Sequence, residues 1–306
     1  MRAAGIIAGG GLVAFPTETV YGLGANALDD KAVAQIFEVK NRPNFNPLII
    51  HISSISDALR LAEFDDRAEK VANAFWPGPL SIVLPRRVDS KVSFLASAGL
   101  DTIALRMPAN KVAQKLLAAA QCPIAAPSAN RSGEVSPTMA EHVAQSFSKS
   151  GNKGPSLILD GGPCCVGLES TVVDLSAETA SLLRPGGITQ EILADNLGTL
   201  ALAGSDDNAP RSPGMMTRHY APASSLRINA TTAGPNEAFL GFGDNAEGAI
   251  HNLSPDSNLT EAAANLFAMI RDLDNGTYEG IAVASIPEYG LGQAINDRLK
   301  RAAKKG

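Results

Sequence analysis

Cysteine is scarce, with three in 306 residues. Cys164 and Cys165 are neighbours and Cys122 stands alone, so no disulfide framework and no zinc-type spacing is spelled out. A reducing cytoplasm is the expected compartment. Long apolar runs are missing as well. No stretch approaches the roughly 18–20 residues that span a bilayer, and the N-terminal Met1 to Ile7, with one basic residue, makes a poor signal peptide. Basic charge is not in excess: 26 Lys and Arg against 31 Asp and Glu give a net −5. That disfavours a chain basic throughout, as a nucleic-acid binder would be. The deficit lies after residue 189, because residues 1–189 carry 17 basic and 17 acidic side chains. A local basic pocket stays open.

Several catalytic signatures are also absent. There is no G-x-x-x-x-G-K-[ST] phosphate loop, no H-E-x-x-H and no G-x-S-x-G. Gly9-Gly10-Gly11 precedes an apolar run instead of following one, so it is not a dinucleotide fingerprint. His51, His142, His219 and His251 share no metal-ligand spacing, and no protein-held metal is expected. Metalloenzyme, dinucleotide-dependent oxidoreductase and triad hydrolase all lose weight.

What is present is a globular composition, 45% hydrophobic and 19% charged, long enough for about two domains at roughly 150 residues each. Residues 1–198 alternate short apolar strands with amphipathic helices. Strands are expected at Leu12 to Phe15, Pro47 to Ile52, Leu80 to Pro85, Thr102 to Met107, Ile124 to Ala126, Leu157 to Leu159, Thr171 to Val173 and Leu182 to Leu183. Helices are expected after Asp29-Asp30, twice within 56–75, over 110–120, and from Pro137 to near Phe147. The class is α/β with a mixed sheet. Residues 199–223 read as a linker, rich in Gly, Ser, Asp, Asn and Pro. It ends in Met215-Met216-Thr217-Arg218-His219-Tyr220, unusual for a spacer. Residues 224–306 read as a smaller α/β unit with strands at Ala238 to Phe242 and Gly280 to Ile286 and helices at Leu259 to Leu273 and Gly292 to Lys305. Arg298, Lys300 and Arg301 near that last helix's end suit its dipole, with an RNA-binding tail as the alternative.

Polar chemistry collects at strand ends. Pro16-Thr17-Glu18-Thr19-Val20-Tyr21-Gly22 follows an apolar strand, as in an α/β ligand crevice or an ordinary Gly-rich turn. Lys40 and Arg42 end a helix, where they either complement its dipole or bind phosphate. His51 closes a strand and by default is a satisfied core histidine. Arg106 sits in an apolar strand with no acid near it in sequence, so an anionic partner or solvent is expected. Ser128 and Asn130 lie on a turn, Ser170 opens a strand, and Arg184 closes one. Together these residues suit a polyanion such as a nucleoside triphosphate.

Five ordered motifs then carry a resemblance: Pro16-Thr17-Glu18-Thr19-Val20-Tyr21-Gly22-Leu23, Lys40-x-Arg42-Pro43, Pro127-Ser128-Ala129-Asn130, Ser170-Thr171-Val172-Val173-Asp174 and Leu183-Arg184-Pro185-Gly186. The chain resembles the YrdC-domain family. With His219-Tyr220-Ala221-Pro222 and the C-terminal unit, it is similar to that family's two-domain form. The stretch before Leu12 is short for the family, so an abbreviated first element is expected. The resemblance implies a YrdC-like twisted mixed sheet over 1–198, a lid in 199–223, and a Rossmann-like α/β unit over 224–306. It implies synthesis of L-threonylcarbamoyl-AMP and pyrophosphate from L-threonine, bicarbonate and ATP with Mg2+. The product would feed a separate enzyme that modifies adenosine 37 of tRNA. Carried over, the threonine site includes Thr19, His51, Arg106 and Ser170. The ATP site includes Lys40, Arg42, Asn46, Thr102, Ser128, Asn130, Ser136 and Arg184, with Tyr220 reaching in from the linker. Lys40 and Arg42 would offset charge on the phosphates. Two other readings are an RNA-binding or ribosome-assembly module, and carbamoyl-AMP chemistry as in hydrogenase-maturation domains. Those domains sit in larger chains with zinc-finger-like cysteine motifs that this sequence lacks.

Overall fold

The computed structural model describes residues 1–148, 153–202 and 218–304. A helix, α1 (Arg2–Ala8), fills the stretch expected to be abbreviated and buries Ala3, Ala4 and Ile7. After β1 (Val13–Phe15), the second half of the Gly-rich segment is itself a strand, β2 (Gly22–Asn26), antiparallel to β1. Helix α2 (Asp30–Lys40) starts where Asp29 caps the amides of Lys31 and Ala32 and stops at Asn41 in the left-handed region. The chain continues through β3 (Ile49–His51), α3 (Ile55–Leu59), α4 (Asp66–Phe75), β4 (Leu80–Pro85), β5 (Thr102–Arg106), α5 (Lys111–Ala120) and β6 (Ile124–Ala125). Helix α6 (Ala140–Ser148) begins three residues after the expected Pro137. Then come β7 (Leu157–Ile158), β8 (Thr171–Asp174), β9 (Ser181–Arg184), α7 (Gln190–Leu197) and β10 (Ala201–Leu202).

These ten strands form one mixed sheet in the order β10-β9-β8-β4-β5-β3-β6-β2-β1-β7. Strand β10 pairs with β9, so the stretch read as linker opens as an edge strand. Residues 203–217, which hold most of the linker including Met215, Met216 and Thr217, lie outside the described residues.

The second unit comprises β11 (Ser225–Ala230), β12 (Glu237–Gly241), β13 (His251–Asn252), α8 (Leu259–Leu273), β14 (Gly280–Ala284) and α9 (Leu291–Ala302). Its four strands are all parallel, in the order β11-β14-β12-β13. The all-apolar burial of β14 and the alternating face of α8 are what a parallel sheet covered by helices requires.

The two units share a core. Val20, Val135, Leu168 and Tyr220 pack in one cluster with Phe239, Phe267 and Ile281 of the second unit. Gly167, at φ +73°, approaches so closely that a Cβ there would lie 2.4 Å from the Ala263 carbonyl oxygen of α8. No helix among the described residues is long and apolar enough to cross a membrane.

Candidate active site

Register places the polar residues. β3 and β5 run parallel, with His51 opposite Arg106, so both reach the same sheet end. β4 runs antiparallel to β5 and parallel to β8, which brings the starts of β4 and β8 to that end. β9 is antiparallel to β8 and delivers Arg184 opposite Val172. A cavity of about 50 Å³ sits there, lined by Thr19, Arg42, His51, Arg106, Ser128, Ser170, Arg184 and Tyr220 among others.

Thr17 shapes the first wall. Its hydroxyl donates to the Val20 carbonyl at 2.6 Å and accepts the Thr19 and Val20 amides at 3.2 Å each. With that proton committed, the 2.8 Å contact between the Thr17 and Thr19 hydroxyls has Thr19 as donor. Thr19 therefore keeps lone pairs for an incoming donor. Glu18, expected only as part of the loop, is the acid the sequence did not place beside Arg106. Arg106 Nη2 donates to Glu18 Oε1 at 2.7 Å, and both side chains are buried. Arg106 Nε donates to the Gly78 carbonyl at 3.3 Å, and Glu18 Oε2 accepts the Ala109 amide at 3.0 Å. Cys165 touches the Glu18 carbonyl from behind at 3.8 Å. Burial pushes the Cys164 thiol up to about 12, which leaves it protonated and inert.

Lys40 and Arg42 divide their tasks. Lys40 Nζ donates to the carbonyls of Ser128 (2.6 Å) and Asn130, holding the turn behind the cavity without lining it. Burial, then the neighbouring Arg42 charge, lowers the Lys40 ammonium well below its ordinary value. Arg42 lines the cavity, braced by the Asn46 carbonyl at 3.2 Å and the Pro47 carbonyl at 3.0 Å. Burial lowers it to about 10, still cationic at neutral pH. Asn46 is fully buried, yet neither its amide nitrogen nor its oxygen has a partner among the described residues. Asn130 likewise keeps Oδ1 unpartnered while its Nδ2 donates to the Arg131 and Glu134 carbonyls. Buried orphans of this kind ask for a ligand or water.

Ser170 is the hub of the opposite wall. Its carbonyl accepts Arg184 Nε at 3.1 Å and Nη2 at 2.9 Å, and its hydroxyl lies 3.1 Å from Nη2 and 2.8 Å from the Ser81 hydroxyl. The Arg184-Pro185-Gly186 turn presses on this segment. A Cβ at Gly186 would lie 2.4 Å from the Glu169 carbonyl oxygen, so only glycine fits. Ser136 does not line the cavity; its hydroxyl donates to Glu169 at 2.5 Å.

Thr102 does not line this cavity. It stands at the far end of β5, opposite Pro85, about 13 Å along the strand from Arg106. Arg298 also differs from the dipole reading. It is 1% exposed and donates through Nε to Glu169 Oε2 at 2.9 Å.

The wall formed by His219 and Tyr220 is aromatic. Tyr220 adopts φ +61°, a region uncommon for a bulky residue. Its ring stacks on Phe267 with centroids 5.5 Å apart, and His219 packs edge-on at 4.0 Å. The Tyr220 hydroxyl and Nδ1 of both His219 and His51 are buried and have no partner among the described residues. Burial, then Arg106, lowers His51 to about 3, and burial with several nearby cations lowers His219 well below its usual value. Both imidazoles are neutral at pH 7. The signal for Glu18, Glu169 and Arg298 was present only as an acid within one motif, an acid beside another and a cation near a helix end; pairing across 88 and 129 residues is not visible in local pattern.

A family model described as "Telomere recombination", named for Sua5, YciO and YrdC, matches residues 5–186, and one described as "Threonylcarbamoyl-AMP synthase, C-terminal domain" matches residues 188–304. The threonylcarbamoyl-AMP synthase of Pyrococcus abyssi is 43% identical over 98% of this chain and 93% of its own length. That of Bacillus subtilis is 39% identical over 99% and 92%. The crystal structure of Pyrococcus abyssi Sua5 complexed with L-threonine superposes with a TM-score of 0.91 at 40% identity, covering 99% of this chain and 93% of that one.

Proposed function

The chain belongs to the threonylcarbamoyl-AMP synthase family, with both its domains, and from that membership we propose the following reaction and division of labour. It is an enzyme of the nucleotidyl-transferring class. L-threonine and bicarbonate condense to a carbamate, with loss of water and a proton. A carbamate oxygen then attacks the α-phosphorus of ATP, forming the mixed anhydride L-threonylcarbamoyl-AMP as the bond to pyrophosphate breaks. No covalent bond to the protein is needed, so catalysis is positioning and charge compensation.

The observation that carries this reading is the convergence of three buried guanidiniums, Arg42, Arg106 and Arg184, on one small cavity. Arg106 receives the threonine carboxylate. Thr19 accepts from the threonine ammonium, and Ser170 and neutral His51 complete that pocket. A histidine held near 3 is too weak a base for an amine, so His51 positions the substrate. Arg42 and Arg184 meet the phosphates, Ser128 and the Asn46 and Asn130 side-chain atoms that lack a partner among the described residues supply polar contacts, and Lys40 fixes the turn that carries Ser128 and Asn130.

Mg2+ would accompany ATP as part of the substrate and supply further compensation of the phosphate charge. The residues present do not fit a protein-held ion: no cluster of three potential ligands occurs among the described residues, and the Glu18 and Glu169 carboxylates are engaged by arginines. No step above depends on it.

A cavity of about 50 Å³ is too small for ATP plus threonine, since sites for such ligands run to roughly 300 Å³ or more. His219 and Tyr220 therefore withdraw to admit nucleotide and return to exclude water from the anhydride. On this reading the product supplies a tRNA threonylcarbamoyl-transfer enzyme acting on adenosine 37, and the chain works in the cytoplasm. Mass spectrometry after incubation with ATP, bicarbonate and threonine, with serine as control, tests the reading. Threonylcarbamoyl-AMP is expected; AMP without a threonine adduct, or tight tRNA binding without turnover, would overturn it.

A further inference from the structure

Arg298 sits on α9 of the second unit, yet most of what it touches belongs elsewhere. Nε donates to Glu169 Oε2 at 2.9 Å, and Nη1 donates to the Pro185 carbonyl and to Asp297 Oδ2, each at 2.8 Å. Its guanidinium carbon lies 5.3 Å from the centre of the Tyr220 ring. Asp297 alone is local to the helix, and it also pairs with Arg301 at 2.9 Å. Burying a guanidinium to this degree is costly unless its partners are well placed. Here they are the lid tyrosine, the turn carrying Arg184, and a carboxylate on the cavity wall.

The carboxylate is the informative partner. Glu169 lines the cavity immediately before Ser170, which Arg184 grips. Burial raises its pKa, but the Arg298 and Arg184 charges outweigh that and hold it below its ordinary value, so it is anionic at neutral pH. Arg184 in turn feels Glu169 as a nearby anion. An anionic Glu169 left to itself would compete with phosphates for Arg184. Arg298 engages Oε2 and Ser136 engages Oε1 at 2.5 Å, so the carboxylate is turned to partners on its own wall. A second arginine of the same unit secures that arrangement. Arg271 of α8 donates to the carbonyls of Ser136, at 3.3 Å, and Val135, and to the Ser146 hydroxyl at 3.1 Å.

We propose that Arg298 is a positioning residue through which the C-terminal unit completes the ATP site: it sequesters the Glu169 carboxylate so that this anion on the cavity wall does not oppose the nucleotide's phosphates. The second unit is then part of the site's electrostatics as well as the support of the lid. This deepens the synthase reading and rests on it.

The test compares wild type, Arg298→Met, Arg298→Lys and the double variant Glu169→Gln/Arg298→Met, in the full chain. ATP affinity is measured by calorimetry, and KM for each substrate by pyrophosphate release. Arg298→Met should weaken ATP at least tenfold and leave KM for threonine within twofold, because the freed carboxylate opposes phosphate. Arg298→Lys should fall between. The double variant, with no unpaired buried charge, should recover ATP affinity to within threefold of wild type. A merely structural role predicts the opposite, since a second change would deepen the defect. Unchanged ATP affinity in Arg298→Met, or a double variant still at least tenfold weak, would overturn the proposal. Should Arg298→Met not fold, Arg298→Lys and the double variant decide by the same thresholds. Wild type that binds ATP but makes no threonine adduct would instead sink the synthase reading, with the ATP-binding comparison still interpretable.

Discussion

Glu18 and Arg106 lie 88 residues apart in sequence and meet at 2.7 Å, both buried, with Arg106 lining the cavity. Removing one partner of a buried pair typically costs about 3–5 kcal/mol, because the other charge is left uncompensated. Glu18→Gln keeps the shape and an acceptor but loses the charge. Its melting temperature should fall by several degrees, and saturating threonine should raise it more than it raises the wild type, since the amino acid brings its own carboxylate to Arg106. Thermal unfolding with and without threonine reads this directly. An equal threonine shift in both proteins would remove Arg106 from the carboxylate site.

Lys40 and Arg42, two residues apart, should fail differently. Arg42 lines the cavity, whereas Lys40 donates to two carbonyls behind it. Arg42→Ala should raise KM for ATP at least tenfold, about 1.4 kcal/mol or more, and hold KM for threonine within twofold. Lys40→Met strands the buried Asn130 carbonyl and the part-buried Ser128 carbonyl, at about 1–3 kcal/mol for a fully buried group, and lets the Ser128 turn move. It should lower stability and weaken both substrates together. Steady-state pyrophosphate release with each substrate varied separates the two patterns.

The contrast between those neighbours marks what local sequence can convey. Strand periodicity and capping residues located β4, α2 and α8 within a residue or two, because apolar alternation and an Asx cap are local physics. α1 and β2 were hidden because glycines break the pattern while tertiary pairing restores the structure. The motifs picked out Arg42, Arg106, Arg184 and Ser170 at one sheet end. They could not tell lining residues from braces: Lys40 and Ser136 bond to groups of the cavity wall without lining the cavity, and Thr102 stands at the other end of β5 from Arg106. Which end of a strand faces the cavity depends on register with partners tens of residues away.

Acid should destabilise the fold before the carboxylates titrate. Burial lowers His51 to about 3 and His142 to about 4, and His219 well below its usual value. Below about pH 6.5 the unfolded chain takes up protons at these positions that the native chain refuses, so stability falls as pH falls, by up to about 1.4 kcal/mol per pH unit for each histidine. For His51 the loss continues down to about pH 3. Glu169, held below its ordinary value, adds a loss in the same direction at more acidic pH. Urea unfolding at pH 7, 6 and 5 should show the decline, and His51→Gln should make it shallower. A flat profile between pH 7 and 5 would contradict the neutral assignment.

Tyr220 packs in the core shared by the two units and lines the cavity; in the proposed lid role, its loss should appear as leakage of the intermediate more than as loss of binding. Its ring stacks on Phe267 and carries a buried hydroxyl with no partner among the described residues. Tyr220→Phe preserves the stack and removes only that hydroxyl. Tyr220→Ala removes the plug, opening the anhydride to water. With ATP, bicarbonate and threonine supplied, Tyr220→Ala should convert ATP to AMP and pyrophosphate at a rate well above its accumulation of threonylcarbamoyl-AMP, whereas Tyr220→Phe should keep the two nearly matched. Cutting the chain after residue 195 removes Tyr220 and Arg298 together and should combine leakage with weak ATP binding. The ratio of AMP to adduct, followed over time by mass spectrometry, is independent of how much folded enzyme survives. A ratio unchanged in Tyr220→Ala would mean that water is excluded by another part of the site.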